Sequence, residues 1–371
     1  MIGRTSLLFA TLVLLSATLA ARAQNWDTVP LITHATYQAV TAQGASAYGG
    51  GFPVRLRGVV LNNPEDWLDP TPNYNEQLFN LGGQWEIFVQ ATEPGDFGGT
   101  AAWMGQCYGN LPFIGDPDFN YTDVEWVAEL QRLDYPDDTD QPPLRAGDYI
   151  ELRARAGLPF AGKMNVNEQH SLSPLKDFDI VRLGWAVGLP APAAITLSDL
   201  VNAASVPIFD PTRQIGGERH QASRVAIRGV RLASAAGWGP NTNPRLALVD
   251  TTGRQFPMHL GRNASFAQFG PPAGYFTVTG FLNQESASGR DGYYLMVMNH
   301  ADLLCGDANC DGAVDFDDID PFVLALSNAA QYAAAYPGCF VDLTGDNAVT
   351  FDDIDPFVAA LSGNGRCGLG E

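Results

Sequence analysis

The chain has 371 residues, 46% of them hydrophobic, and a formal net charge of −20 at pH 7. That length and apolar content allow two or three domains with buried cores. The acidity excludes nucleic acid as a partner of the whole surface, because like charges repel, and it suits a cation.

The N-terminus predicts an export signal over residues 1–23. Arg4 supplies the positive start, "SLLFATLVLLSATLA" the apolar stretch, and Ala21-Arg22-Ala23 a small-x-small cleavage site. The apolar run is too short and too early for a membrane span. Its removal predicts a secreted protein, extracellular or at the cell surface, with no span left.

The body contains a repeat. "VRLRGVVL" (54–61) matches "VAIRGVRL" (225–232), and each alternates as a half-buried first strand does. Four more pairs follow in step: "QWEIFVQ" (84–90) with "RLALVD" (245–250), "TAAWMGQ" (100–106) with "RQFPMHLG" (254–261), "GDYIELRARA" (147–156) with "GYFTVTGFL" (274–282), and "GKMNVNE" (162–168) with "GYYLMVM" (292–298). A helix is predicted between the third and fourth strands of each set. In the first, Thr122 and Glu125 form a capping box, and Val124, Val127, Leu130 and Leu133 share a face. In the second, Asn263 caps "NASFAQFG". Three strands, a helix and two strands is the order of an OB-fold. The chain is therefore expected to be mainly β, with OB-like five-stranded barrels at 25–184 and 185–302. A Pro/Ala linker joins them through a short helix capped by Thr196 or Ser198. These barrels resemble OB-like modules of secreted bacterial proteins. OB barrels bind on their second and third strands, which makes Trp85, Phe88, Trp103 and Arg245, with loop residues Trp67 and Trp238, the candidate ligand contacts. Aromatic stacking suits a sugar or a base; the charge opposes a base, and export favours a polysaccharide. The competing reading of any one ring is core or loop packing.

The acidity is concentrated in the tail: from Ala301 onward there are thirteen acidic residues against one arginine. There "FDDIDPFV" occurs twice, 35 residues apart. Counted from Asp307, oxygen-bearing side chains fall at loop positions 1, 3, 5, 9 and 12: Asp307, Asn309, Asp311, Asp315 and Asp318. Counted from Asp342 they are Asp342, Thr344, Asp346, Thr350 and Asp353. Ala313 and Ala348 offer the backbone carbonyl of position 7. Gly312 and Asn347 occupy the sharp turn at position 6. This is the twelve-residue calcium-loop spacing, and it predicts two Ca²⁺ sites, the second weaker because it has fewer charged oxygens. Both loops close with Asp, which is shorter than Glu and requires a closer approach of the helix. After each loop Asp320 and Asp355 are expected to cap a helix, with Pro321 and Pro356 at its first position.

Four of the five cysteines lie in this tail. An exported chain with such clustering suggests a stapled module, and four cysteines allow three pairings. Cys305–Cys367, clasping the ends, with Cys310–Cys339 inside, is the favoured one; Cys107 is left outside the bridges as a buried thiol.

No long helix precedes either loop. The tail, 303–371, thus resembles the type I dockerin family: a duplicated loop–helix, no entry helix and a terminal position. The resemblance implies docking to a cohesin-like scaffold or another surface protein, in company with polysaccharide breakdown. It also implies that loop positions 10 and 11, Phe316–Asp317 and Phe351–Asp352, meet the partner. The family often has a hydroxyl pair there, so this pairing departs from it. Because the copies match, either half could dock.

No nucleophile elbow, HExxH, phosphate loop or CxxC is present. The histidines (34, 170, 220, 259 and 300) are scattered, and His259 alone on a strand reads as surface or satisfied. The carboxylate pairs Glu125/Glu129 and Asp137/Asp138 read as solvated surface. The expectation is a non-catalytic binding protein; the rival is a polysaccharide hydrolase, favoured only by the company dockerins keep.

Overall fold

The structure, a computed structural model, describes residues 24–74, 80–111, 114–168, 175–242, 245–363 and 365–367. The expected export signal, 1–23, and His170 lie outside the described residues. The fold is mainly β. The strands are β1 (Val54–Val60), β2 (Gln84–Gln90), β3 (Gly99–Gly105), β4 (Tyr149–Ala154), β5 (Leu158–Phe160), β6 (Lys163–Asn167) and β7 (Phe178–Gly184), then β8 (Ala193–Ile195), β9 (Arg224–Leu232), β10 (Leu246–Asp250), β11 (Gln255–Leu260), β12 (Phe276–Gln284), β13 (Tyr293–Val297) and β14 (Leu303–Leu304). The helices are short: α1 (His34–Tyr37), α2 (Asp123–Asp134), α3 (Leu197–Leu200), α4 (Gly216–His220), α5 (Ser265–Gln268), α6 (Ile319–Ser327), α7 (Ala329–Ala335) and α8 (Ile354–Ser362). No helix among the described residues is long and apolar enough to cross a membrane.

The strands form two seven-stranded sheets. In the second, the order β9-β10-β11-β13-β12 returns to β9, which closes a five-stranded barrel, with β8 and β14 added outside the ring. β11 and β13 run parallel, and the other ring pairs antiparallel. The first sheet repeats most of this connectivity: β1–β2–β3 in sequence, β1 against β4, and β3 parallel to β6. Its order is open, however, running β5-β6-β3-β2-β1-β4-β7. This corrects the expected closed barrel at 25–184, and strand length gives the reason. Nine-residue β12 pairs β9 at one end and β13 at the other. Six-residue β4 is covered on both edges, by β1 and by β7, and has no length left to meet β6.

The alternation of side chains along each strand sorts its residues between two faces. Trp85, Ile87 and Val89 of β2, and Met164 and Val166 of β6, enter the core of the first sheet. α2 closes one end of that core. Its capping box is formed by Thr122 and Glu125, but the buried face is Trp126, Glu129 and Leu133, while Val124 and Val127 are exposed. The helix is rotated from its expected setting because burying Trp126, which donates to Pro70 O at 2.7 Å, removes more apolar surface than two valines. Glu129, expected to be solvated, is buried between Arg132 (2.9 Å) and Lys176 (2.6 Å), and Asp137 pairs with Arg182 at 3.0 Å. In the second half, Thr196 caps α3 in a box with Asp199, and Asn263 accepts from Ser265 N at 3.0 Å.

The two sheets meet through a third apolar cluster. Phe88 of β2 lies 4.9 Å, ring centroid to centroid, from Phe281 of β12, flanked by Leu61, Trp67, Tyr294, Met296 and Met298. Arg224 N donates to Gln90 Oε1 across the junction at 2.9 Å.

In the tail each loop runs into a 3₁₀ turn and then α6 or α8. Asp320 and Asp355 are second residues of these helices, not caps, and the prolines are third. Proline is tolerated there because the first four helical N–H groups have no partner inside the helix. The short α7 precedes the second loop, unannounced by periodicity. Cys305–Cys367 and Cys310–Cys339 are disulfide-bonded, with Cα separations of 5.1 and 5.7 Å, as favoured from the sequence; Cys107 is buried in the first half. The tail's apolar residues Phe322, Phe357, Val341 and Leu343 are continuous with the core of the closed barrel. Phe340 stacks on Tyr275 at 5.1 Å, and Tyr275 N donates to Asp342 O at 2.9 Å. Gly229 has φ +61°, and a Cβ there would sit 2.2 Å from the Phe340 ring. The stapled module of the tail thus shares one core with the barrel.

Candidate functional site

Two places gather functional side chains. The first is a cleft of about 190 Å³ between the first sheet and the barrel. Its floor is the face of β2, β3 and β6 opposite the core. β6 sends Lys163, Asn165 and Asn167 into the cleft, β2 sends Gln84 and Glu86, and β3 sends Trp103. The walls include Trp67, Tyr108 and Phe160, and the barrel contributes Glu285.

The polar groups here are buried and mostly paired across the junction. Trp67 Nε1 donates to Glu86 Oε2 at 2.7 Å. Lys163 Nζ donates to Asn283 Oδ1 at 2.7 Å and Gln284 O at 3.0 Å. Asn283 Nδ2 donates to the Tyr294 hydroxyl at 2.7 Å, and that hydroxyl donates to Glu285 Oε1 at 2.9 Å. Arg245 ion-pairs with Glu285 and lies 3.6 Å above the Tyr294 ring. Burial pushes the Glu86 carboxyl up, against the pull of Lys163 and Trp67. Burial likewise lowers Lys163. For Glu285 burial is the largest influence and acts upward, but Tyr294, Arg245 and Lys163 together outweigh it and hold the carboxyl below its usual range. Asn165 Oδ1 and Asn167 Oδ1 are buried with no hydrogen-bond partner. His259, expected at the surface or satisfied, is buried with Nε2 unpartnered, its ring edge-on to Trp67 at 4.7 Å.

Of the candidate ligand contacts, the structure brings Trp103 and the loop residue Trp67 to the cleft, with Arg245 behind Glu285. The others are corrected. Trp85 is fully buried in the core with Nε1 on Asp134 Oδ1 (2.8 Å), because odd-numbered residues of β2 face inward. Phe88 is sealed against Phe281. Trp238 packs on Phe266 and His300 and donates to Phe269 O at 3.1 Å. The ladder Lys163, Asn165, Asn167 was missed. Its signal was present in "KMNVN": lysine and asparagine are poor strand formers, and alternating them with Met and Val puts a polar row on the face that binds in OB barrels.

The second place is the pair of acidic loops, which fold in parallel. Asp307 Oδ2 accepts Gly312 N (3.1 Å), and Asp342 Oδ2 accepts Asn347 N (2.8 Å). Asp311 accepts Ala313 N and Asp346 accepts Ala348 N, both at 2.9 Å. The closing residues Asp318 and Asp353 are fully buried. Asp318 accepts the amides of Ala308, Asn309 and Asp315; Asp353 accepts those of Leu343, Thr344 and Thr350. Gly312 (φ +93°) and Asn347 (φ +73°) take the left-handed turn at position 6. Asp315 Oδ1 and Thr350 Oγ1 cap the turns that follow, at Asp317 N and Asp352 N. Asn309 accepts from Asp311 N, and Thr344 donates to Asp353. No group of three or more His, Cys, Asp or Glu converges as a metal centre among the described residues. Yet Asp307 Oδ1 is buried with no hydrogen-bond partner, and its carboxyl is pushed up to about 6 by burial and by the like charges of Asp318 and Asp311. A buried unpartnered anionic oxygen among like charges fits a cation as its missing partner. At position 10, Phe316 and Phe351 are 79% and 83% exposed, far above the norm for an apolar ring.

No family model matches the chain, and no curated protein matches it. Among solved structures it is similar to a chain from "Structure and Conformational Change of a Replication Protein A Heterotrimer Bound to ssDNA", at 12% identity over 66% of this chain, with a TM-score of 0.25. The chain spans 46% of that protein's length. A likeness this slight carries no argument about fold or function.

Proposed function

We propose that this is a secreted calcium-binding protein whose dockerin-like tail docks it to a scaffold or surface partner, while its OB-like modules hold a ligand, a polysaccharide or a protein. The observation that carries the reading is the doubled loop. Both copies place a left-handed residue at position 6 and a buried aspartate at position 12. In the first, Asp307 also keeps one carboxylate oxygen without a partner. When bound, Ca²⁺ would be held in the first loop by Asp307, Asn309, Asp311, Asp315, Asp318 and the Ala313 carbonyl. In the second it would be held by Asp342, Thr344, Asp346, Thr350, Asp353 and the Ala348 carbonyl. It would neutralise the crowded carboxylates and lock the loops. The exposed Phe316 and Phe351, with Asp317 and Asp352 beside them, form matching docking faces on the two copies.

Calorimetric titration of the chelator-stripped full-length protein with CaCl₂ tests the metal. Two sites of unequal affinity are expected, and a chain that takes up none ends this reading of the tail.

A further inference from the structure

Resting on the proposal that the modules hold a ligand, we infer that the cleft between the first sheet and the barrel binds one neutral, polyhydroxylated ring: a single pyranose-type sugar unit, seated on Asn165 and Asn167 with Trp103 beside it. Three features carry this. The first is unmet hydrogen bonding. Asn165 Oδ1 and Asn167 Oδ1 are buried at the cleft without partners, and a native structure rarely leaves such oxygens unpaired. The ligand must bring donors to two sites two residues apart on one strand, as adjacent hydroxyls of one ring do. A hydroxyl donates and accepts, so it serves a carboxamide in either role.

The second is charge. Lys163 and Arg245 balance Glu86 and Glu285, and the lysine is committed to Asn283 and Gln284. Among the described residues a phosphate would find no free cation, and a cationic ligand would find the carboxylates already engaged. The third is size and lining. A cavity of about 150 Å³ accepts benzene, so 190 Å³ has room to enclose about one six-membered ring. Trp103 and Phe160 offer apolar faces to the C–H side of such a ring.

The test is titration of full-length, calcium-loaded protein with methyl glycosides of glucose, galactose, mannose and xylose, read by tryptophan fluorescence and calorimetry. Glucose 6-phosphate, glucosamine and an unstructured peptide library serve as comparators. At least one neutral glycoside is expected to bind saturably. Asn165→Ala and Asn167→Ala are each expected to weaken it by about fivefold or more, the worth of one hydrogen bond. Trp103→Ala supplies a check that leaves the asparagine row intact, and an unchanged calorimetric transition of the first sheet shows that each variant folds. Saturable binding of only a charged or peptide ligand, lost in the same variants, would overturn the sugar assignment and leave the ligand-binding proposal standing. If nothing in any class binds, both fall. Glycoside binding indifferent to all three substitutions would place the sugar elsewhere and overturn the inference.

Discussion

Phe322 and Phe357, equivalent residues of the two tail repeats, stack face to face with ring centroids 4.0 Å apart and planes 2° from parallel. Both are almost fully buried. The pair is the pseudo-twofold seam of the tail: each copy offers the same side chain to the other. Phe322→Ala or Phe357→Ala should cost about 3–5 kcal/mol, the usual range for truncating a buried phenylalanine. Because α6 and α8 follow directly from the loops, both variants should also bind Ca²⁺ more weakly. Urea unfolding with and without Ca²⁺ checks both effects, and a variant as stable as the parent would remove the seam.

Asp311→Ala and Asp346→Ala should each lower Ca²⁺ affinity about tenfold or more, since each removes one charged oxygen. Chelation should be felt beyond the tail, because Phe340, Tyr275 and Asp342 join loop and barrel. Scanning calorimetry should show EDTA lowering the transition of the barrel as well as the tail, with the first sheet's transition unmoved.

Replacing both Phe316 and Phe351 with Ala should abolish capture of a partner from culture supernatant or cell-surface extract without changing thermal stability, because both rings are exposed. Either single variant should retain it, since the copies are interchangeable. Loss in one single variant alone would show that only one face docks.

Glu218 of α4 is fully buried; Tyr293 Oη donates to it at 2.5 Å, with Arg213 4.0 Å away. Burial pushes its carboxyl up to about 7, against the pull of Tyr293 and Arg213. A carboxyl raised on folding holds its proton in the native state after the unfolded chain has lost it. Its contribution is therefore full below about pH 4.5 and is lost as pH rises through about 7, worth ~3 kcal/mol at most. Denaturant unfolding between pH 5 and 8 should show stability falling over this window, and Glu218→Gln should flatten the slope.

Glu151 of β4 is buried beneath Arg55 (3.4 Å), Arg57 (2.8 Å) and Arg153 (2.8 Å). Truncation to Ala leaves three guanidinium groups crowded without their anion, at a cost of about 3–5 kcal/mol. Equilibrium unfolding measures it; a loss below about 1 kcal/mol would mean the arginines turn to solvent.

Much of this was readable from residue order. The doubled Arg-Gly-Val segment placed β1 and β9, and alternation bounded their neighbours to within two or three residues. Of the three open cysteine pairings the favoured one is formed, and the loop spacing put Gly312 and Asn347 at the left-handed turn. What alternation does not say is which of its two faces is the core. Trp85 drew attention as a ligand contact because aromatics do, but it faces the core, and its neighbour Glu86 is the one that reaches the cleft. Val124 and Val127 were misassigned for the same reason, since a short helix can turn either stripe inward. The open order of the first sheet depends on β7 covering β4, a long-range contact with no local mark. Nor could a dense acidic tail reveal that Phe340 lies where Gly229 lacks a side chain.

That contact has a mechanical consequence. A tail hung on a slack tether would let the body swing freely from its anchor. Were the tail docked as proposed, a tug on it would pass through the Phe340 ring and the Asp342 carbonyl into the barrel wall at β9 and β12. Such an anchor would set the orientation in which the cleft faces its surroundings, and shear would reach the barrel before it reached the first sheet.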